Sequence, residues 1–254
     1  MAAAGNGKLT IRPLTPARVD DVKTVTRGTW GATCWDLFPR FNAKEQRAMG
    51  IRDQGPTNES RRRAVLAKLA RRRHSAGLVA YDGTEPIGFI SLGPRLDFSR
   101  IANSKATPPV DDVDAWVIPC ITVRRGYRGR GAAIAMIQAA VDHAARHGAA
   151  AVEAYPRASG RVHDDLAFIG TKSMFEKAGF RQIRGVLPEL PKGWAPRVTM
   201  RAFASRGLKK GGGGAQSSTR CRQRAAATVP IVNELRELLV LRRTELKARR
   251  RHKR

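Results

Sequence analysis

Apolar and polar positions alternate over residues 9–13, where Leu9, Ile11 and Pro13 lie between polar neighbours. A period of two predicts a short strand, and Pro13 marks its end or a sheet edge. Thr15 then offers an N-cap oxygen, Pro16 fits a first helical position, and Asp20 and Asp21 suit the positive end of a helix. Residues 30–58 keep no period and predict irregular chain or short helices, with Trp30, Trp35, Phe38 and Phe41 as aromatic anchors. In NESRRRAVLAKLARRRH, residues 58–74, Val65, Leu66 and Leu69 share a helical face and the arginines fall on a solvated one. Apolar runs at 77–81 and 87–92 flank an Asp-Gly turn, the pattern of a hairpin. The stretch AWVIPCITV, residues 115–123, reads as a buried strand in which Pro119 demands a bulge or a break. Ile134, Ile137 and Val141 repeat at helical spacing, and Gly148 supplies a stop. A strand over AAVEAYP (150–156), a short helix over GTKSMFEKAGF (170–180), and strands over RQIRGVL (181–187) and PRVTMRAF (196–203) complete the run.

Hairpins give antiparallel pairs, while the strand–helix–strand unit across residues 115–156 requires a parallel one. The expected fold is therefore a single α/β domain over residues 1–204 with a mixed sheet. The Gly/Ser/Gln-rich stretch 205–228 reads as a flexible linker, and 229–254 as one basic amphipathic helix.

Charge changes the picture of partners more than that of the fold. The 254 residues hold 48 Lys+Arg against 21 Asp+Glu, a net +27 that favours polyanions: nucleic acid, anionic membrane or a phosphate-rich cofactor. Residues 205–254 alone hold 15 Lys/Arg and 3 Asp/Glu. Cys34, Cys120 and Cys221 are odd in number and far apart, so neither a disulfide framework nor a paired-cysteine metal site follows, and small buried hydrophobes are expected. No apolar run approaches the roughly 20 residues of a membrane span. The first residues also lack the apolar core of a signal peptide. The expectation is a cytoplasmic protein without membrane association.

The stretch ITVRRGYRGRGAA, residues 121–133, carries the candidate chemistry. Gly126, Gly129 and Gly131 allow left-handed backbone and close approach of a ligand. The helix that follows offers unpaired N–H groups and the positive end of its dipole, a site for phosphate or pyrophosphate. Arg128 and Arg130 add charged donors. The spacing lacks the G-K-[ST] of a nucleotide P-loop and the acidic partner of a dinucleotide fold. A tight surface loop and an arginine-glycine grip on nucleic acid remain alternatives at this point.

Arg128, Gly131 and Ala133 fall at the three defining places of the R/Q-x-x-G-x-G/A segment of GNAT N-acetyltransferases, and MFEKAGF (174–180) resembles that family's later lYEKlGF segment. The resemblance covers roughly residues 8–203, and the order of strands and helices matches. It implies a mostly antiparallel sheet of six to seven strands flanked by helices, with the strand before the glycine loop splayed from the strand after the next helix. It also implies acetyl-CoA as co-substrate, with no metal. The pyrophosphate is expected on Gly129, Arg130, Gly131, Ala132 and Ala133, with Arg128 beside it. The pantetheine arm is expected along Ile121, Thr122 and Val123, and Pro119 as the origin of the splay. An amine is then expected to attack the thioester directly.

The proton-transfer half of the family pattern is absent. Phe175 stands where relatives carry a Tyr acid, Phe168 and Thr171 where they carry Asn and Ala, and Trp116-Val117 where a base Glu is common. Substitute candidates are Tyr155 and Ser173 as acids and Asp114, with Asp111 and Asp112, as a base through water. Cys120 reads as inert, His163 with Asp164 as sequence neighbours that point apart, and a mechanism with no dedicated acid is the further option. The acceptor is an amine on a small molecule or a protein. Rival readings are a non-catalytic acetyl-CoA sensor and a nucleic-acid partner acting through the basic tail.

Overall fold

The structure, a computed structural model, describes residues 8–52, 56–158, 168–190 and 195–204. The linker and basic helix expected beyond residue 204, together with Cys221, His163 and Asp164, lie outside the described residues.

Two sheets form the frame. The first runs β1 (Leu9–Pro13), β2 (Gly77–Asp82), β3 (Glu85–Ser91) and β6 (Ile121–Val123), antiparallel throughout. The second orders β4 (Gly93–Pro94), β5 (Ala115–Ile118), β7 (Ala151–Ala154), β9 (Thr199–Phe203) and β8 (Arg181–Arg184). Its one parallel pair is β5 with β7, as the strand–helix–strand connection requires.

The helices are α1 (Val19–Thr26), α2 (Leu37–Arg40), α3 (Ala43–Ala48), α4 (Pro56–Ala70), α5 (Ser99–Ala102), α6 (Ala132–Arg146) and α7 (Lys172–Lys177). They cover both faces of the first sheet, which explains why β2 is apolar without interruption. Leu78 and Ala80 share a buried cluster with Met136 and Ile137 of α6. Val79 and Tyr81 point the other way, into the cluster that holds Val22 and Val25 of α1 and Leu66 and Leu69 of α4. A two-residue side-chain period sends alternate positions to opposite layers.

The break expected at Pro119 is complete, and one expectation about α4 needs correction. Residues 115–123 are two strands in different sheets, because Pro119 has no N–H to continue a ladder. The α4 arginines are not all solvated: Arg62 is buried and its Nε donates to the Ile51 carbonyl at 2.8 Å. Of the aromatic anchors, Trp35 and Phe41 are core, while Phe38 is exposed beneath the Arg100 guanidinium at 4.0 Å.

The turn after α4 is tied to the loop after β4 by Asp97, which accepts from Arg72 at 2.6 and 3.1 Å and lies 3.1 Å from His74 Nε2. Burial pushes this carboxyl up, but the His74 and Arg72 hydrogen bonds outweigh it and hold the group below its ordinary value. Its contribution to stability is therefore full above the unfolded value near pH 4 and is lost as pH falls through the lower folded one. Asp97→Asn is expected to cost about 2 kcal/mol at pH 7. The gap from wild type should narrow below pH 4 in thermal melts. Phe175, fully buried with its ring 5.1 Å from Phe180, anchors α7. Phe175→Ala is expected to cost about 3–5 kcal/mol in urea unfolding. The same change at Phe203, which is 69% exposed, should stay within about 0.5 kcal/mol.

Candidate functional site

At Pro119-Cys120 the chain leaves the second sheet for the first. β5 stays bonded to β7 up to the Ile118–Ala154 pair, whereas β6 pairs only with β3. Ser91 N donates to Cys120 O at 2.9 Å and Arg124 N to Ile87 O at 2.9 Å. Antiparallel bonds alternate, so Ile121 and Val123 turn their backbone groups away from β3, into the gap toward the chain beyond β7. Ile121 N–H donates there to Phe168 O at 2.5 Å, and Val123 O accepts from Arg128 Nε at 3.0 Å. Ile121 C=O and Val123 N–H face the same gap, one acceptor and one donor for an amide-bearing ligand.

A cavity of about 910 Å3 fills this wedge. The glycine loop forms one end of it. Gly129 and Gly131 have φ of +76° and +81°, backbone that L side chains rarely adopt, and the space where a Cβ would stand is open at both. Gly131 is the N-cap of the 15-residue α6, so the unpaired N–H groups of that first turn meet the loop. Of the nine residues expected to hold the cofactor, Ile121, Thr122, Val123, Arg128, Gly129, Gly131, Ala132 and Ala133 line the cavity. Arg130 is not in its wall; the guanidinium lies 5.6 Å from the Tyr127 ring centre.

The three candidates for proton transfer are scattered. Tyr155 alone lines the cavity. Its hydroxyl donates to Glu153 Oε2 at 2.7 Å and accepts from Arg95, while burial, with the Glu153 charge behind it, pushes the phenol well above its ordinary value. Ser173 is exposed, outside the cavity wall, with its Oγ 3.1 Å from Thr171 Oγ1. Asp114 is exposed ahead of β5, also outside the wall. Asp111 is held in a two-bond ion pair with Arg201, at 2.7 Å for each bond. Cys34 and Cys120 both line the cavity and are half-buried; burial pushes Cys34 up to about 11 and Cys120 higher still, so both stay thiols.

The lining group that sequence reasoning missed is Asp36, the one carboxylate among the described lining residues. Against it stand Arg100, Arg128, Arg157, Lys177 and Arg197. Its Oδ2 accepts from Arg40 Nε at 2.8 Å and from Ser91 Oγ at 2.7 Å, while its buried Oδ1 has no hydrogen-bond partner among the described residues. Trp35 and Asp36 both have left-handed backbone, φ 50° and 59°. Such a conformation costs about 1–3 kcal/mol per non-glycine residue. Only the absence of periodicity in residues 30–42 marked this segment in the sequence. Among the described residues no cluster of His, Cys, Asp or Glu could hold a metal ion, and no helix is long and apolar enough to cross a membrane.

Comparison with known proteins gives the fold a context. Similar solved structures include Ard1 from Thermoplasma volcanium (16% identity, 78% of this chain and 99% of that one, TM-score 0.44). An N-acetyltransferase from Staphylococcus aureus Mu50 is similar at 13% identity, covering 78% and 99%, TM-score 0.46. The putative acetyltransferase yncA from Salmonella typhimurium, solved with its cofactor acetyl-CoA, is similar at 15% identity, covering 79% and 96%, TM-score 0.47. A search of curated proteins finds no significant match. The sequence itself matches the acetyltransferase (GNAT) family over residues 38–168, a span that includes the α2 turn, both halves of the broken strand and the glycine loop. The chain is a member of the GNAT acetyltransferase family, enzymes that use acetyl-CoA as their acyl donor.

Proposed function

We propose that the protein transfers an acetyl group from acetyl-CoA to an amine by direct attack on the thioester, with residues 1–204 as the catalytic domain and the basic remainder as an extension. The observation that carries this reading is the glycine loop: two left-handed glycines and the open first turn of α6, set at one end of a wedge between separating strands. In it, the pyrophosphate takes the N–H groups around Gly129 to Ala133, with Arg128 as a charged donor. The pantetheine amides take Val123 N–H and Ile121 C=O, which holds the thioester beside the Pro119-Cys120 break. The amine reaches it from the α1–α2 side. Fixed orientation of the two reactants supplies most of the acceleration.

No dedicated acid is assigned to the leaving thiolate. Tyr155 is the candidate nearest that role, yet its proton is held by Glu153 and its acidity is suppressed by burial. Water can protonate the sulfur.

Calorimetric titration of acetyl-CoA into the full-length chain tests the cofactor site, with Gly131→Asp as its control. An Asp tolerates left-handed backbone better than most residues and suits a helix N-terminus, so the fold should survive while the carboxylate repels pyrophosphate. The expected outcome is a well-defined wild-type isotherm and at least about 100-fold weaker binding by the variant. A folded wild-type chain that does not bind acetyl-CoA sinks this reading. For the acid, Tyr155→Phe is expected to lower kcat less than about tenfold, against the 10²–10⁴-fold of a dedicated proton donor.

A further inference from the structure

We infer that Arg157 and Arg197 form an anion subsite for the acceptor: the amine that is acetylated carries a carboxylate or a phosphate, and the two guanidiniums hold that group on the second-sheet wall of the cavity. This rests on the acetyl-transfer reading above.

Backbone geometry fixes the pair. Beyond β7 and ahead of β9 the ladder continues in the same register as one further antiparallel bridge, Arg157 opposite Arg197. Ala158 N donates to Pro196 O at 3.0 Å and Val198 N to Pro156 O at 3.1 Å. These bonds flank the pair, so the two facing arginines exchange none between themselves. At such a position the Cα atoms are only about 4.5 Å apart and the side chains leave on the same face. Both arginines line the cavity, Arg157 exposed and Arg197 half-buried, so both can be reached from it.

Like charges directly opposite each other repel. Four residues deeper in the same ladder the chain avoids this: Glu153 faces Arg201, and Arg201 Nη2 reaches Glu153 Oε1 at 2.6 Å. No such partner meets Arg157 or Arg197. Among the described residues neither pairs with a carboxylate, and the side chain of Arg197 makes one bond, from Nη1 to Tyr155 O at 2.9 Å. The carboxylates along this ladder are already committed, Glu153 to Arg201 and Tyr155, and Asp111 to Arg201. Asp36, the one carboxylate among the described lining residues, accepts from Arg40. Burial, and then the charge of Arg157, hold the Arg197 guanidinium below its ordinary value, as befits a cation short of a counter-charge. Two forked donors side by side suit the oxygens of one carboxylate or phosphate.

Position gives the anion to the acceptor and not to the cofactor. β6 and the glycine loop, which the cofactor reading uses, belong to the first-sheet wall, whereas Arg157 and Arg197 extend β7 and β9 of the second. β7 ends at Ala154, paired with Ile118 directly ahead of Pro119, and Arg157 follows three residues later. The pair therefore stands on the far side of the break from the cofactor arm. An acceptor held there by its anion turns its nitrogen back toward the thioester, and a second cationic group on it is repelled.

Initial rates with acetyl-CoA read the subsite through short matched amines: at each chain length an n-alkylamine, an ω-amino acid and an α,ω-diamine. Adding 2-aminoethyl phosphate beside 3-aminopropanoate separates phosphate from carboxylate. At the best length the anionic amine is expected to lead and the diamine to trail, separated by at least about tenfold in kcat/KM. Arg157→Gln should bring the anionic-to-neutral ratio close to one, and Arg157→Lys, which keeps the charge without the fork, should retain part of it. In Arg157→Gln, acetyl-CoA affinity by calorimetry should stay within about twofold. Because that change also removes a repulsion, its Tm should lie within about 2 °C of wild type or above. No preference for anionic amines in the wild-type chain, or a preference that Arg157→Gln leaves unmoved, overturns the inference. So does weaker acetyl-CoA binding by the variant, which assigns the pair to the cofactor's phosphates. A lower Tm or failure to fold overturns it too, because the chain itself then pairs this cation. Finally, no turnover of any anionic amine by a chain that binds acetyl-CoA overturns it, whereas absence of acetyl-CoA binding is the separate failure of the underlying reading.

Discussion

A proline in the middle of the central strand governs this molecule. Pro119 cannot donate to a ladder, so residues 115–123 cannot remain one strand bonded along both edges. The chain resolves this by dividing its loyalties: β5 pairs with β4 and β7, and β6 pairs with β3. Once the two halves belong to different sheets, the space between β6 and the chain beyond β7 must open, and the cavity is that space. The bond from Ser91 N to Cys120 O pins the hinge, so the wedge has a fixed apex. α6 then starts at the wide end, beyond β6 and the glycine loop, where Gly131 releases it.

The opposite wall depends on a buried arginine. Arg40 is 2% exposed and donates to Asp36 and to the Ala76 carbonyl, with Ser91 Oγ at 3.3 Å and the Phe98 ring 4.3 Å away. One side chain thus ties α2 to the start of β2, the end of β3 and the loop before α5. Burying such a charge is costly unless its donors find acceptors, and here Nε and Nη2 do. The result is a rigid backing for the wall of the cavity that Cys34, Asp36 and Pro39 line. Rigidity is what a site for direct transfer needs, because the protein's contribution is orientation.

Much of this frame was legible because it follows from period and backbone chemistry. The two-residue period of β2 and β3, the helical spacing of Ile134, Ile137 and Val141, and the break demanded by Pro119 each have one physical outcome. The glycine loop was legible for the same reason, since left-handed backbone at a helix start restricts the residue types. The proton-transfer candidates were not. Ser173 lies two residues from Phe175, about 200° around a helix, so burying Phe175 turns Ser173 to solvent. Asp114 lies four strand residues before Ile118, about 13 Å from the break. Asp36 sits in a segment without periodicity, where only the assembled fold reveals that it joins the cavity lining.

The carboxylates also divide by environment. Asp111, exposed and accepting two bonds from Arg201, is held below its ordinary value chiefly by those hydrogen bonds, which makes it a weaker base than a free aspartate. Asp36 is pushed the other way by burial, even with Arg40 and Ser91 opposing. Two groups of one chemistry are driven apart by solvent and partners. Asp111 holds the approach to β5 through Arg201, and Asp36 braces α2 against the end of β3 through Arg40 and Ser91. Each carboxylate therefore fastens one part of the frame, Asp111 the loop ahead of β5 and Asp36 the turn into α2.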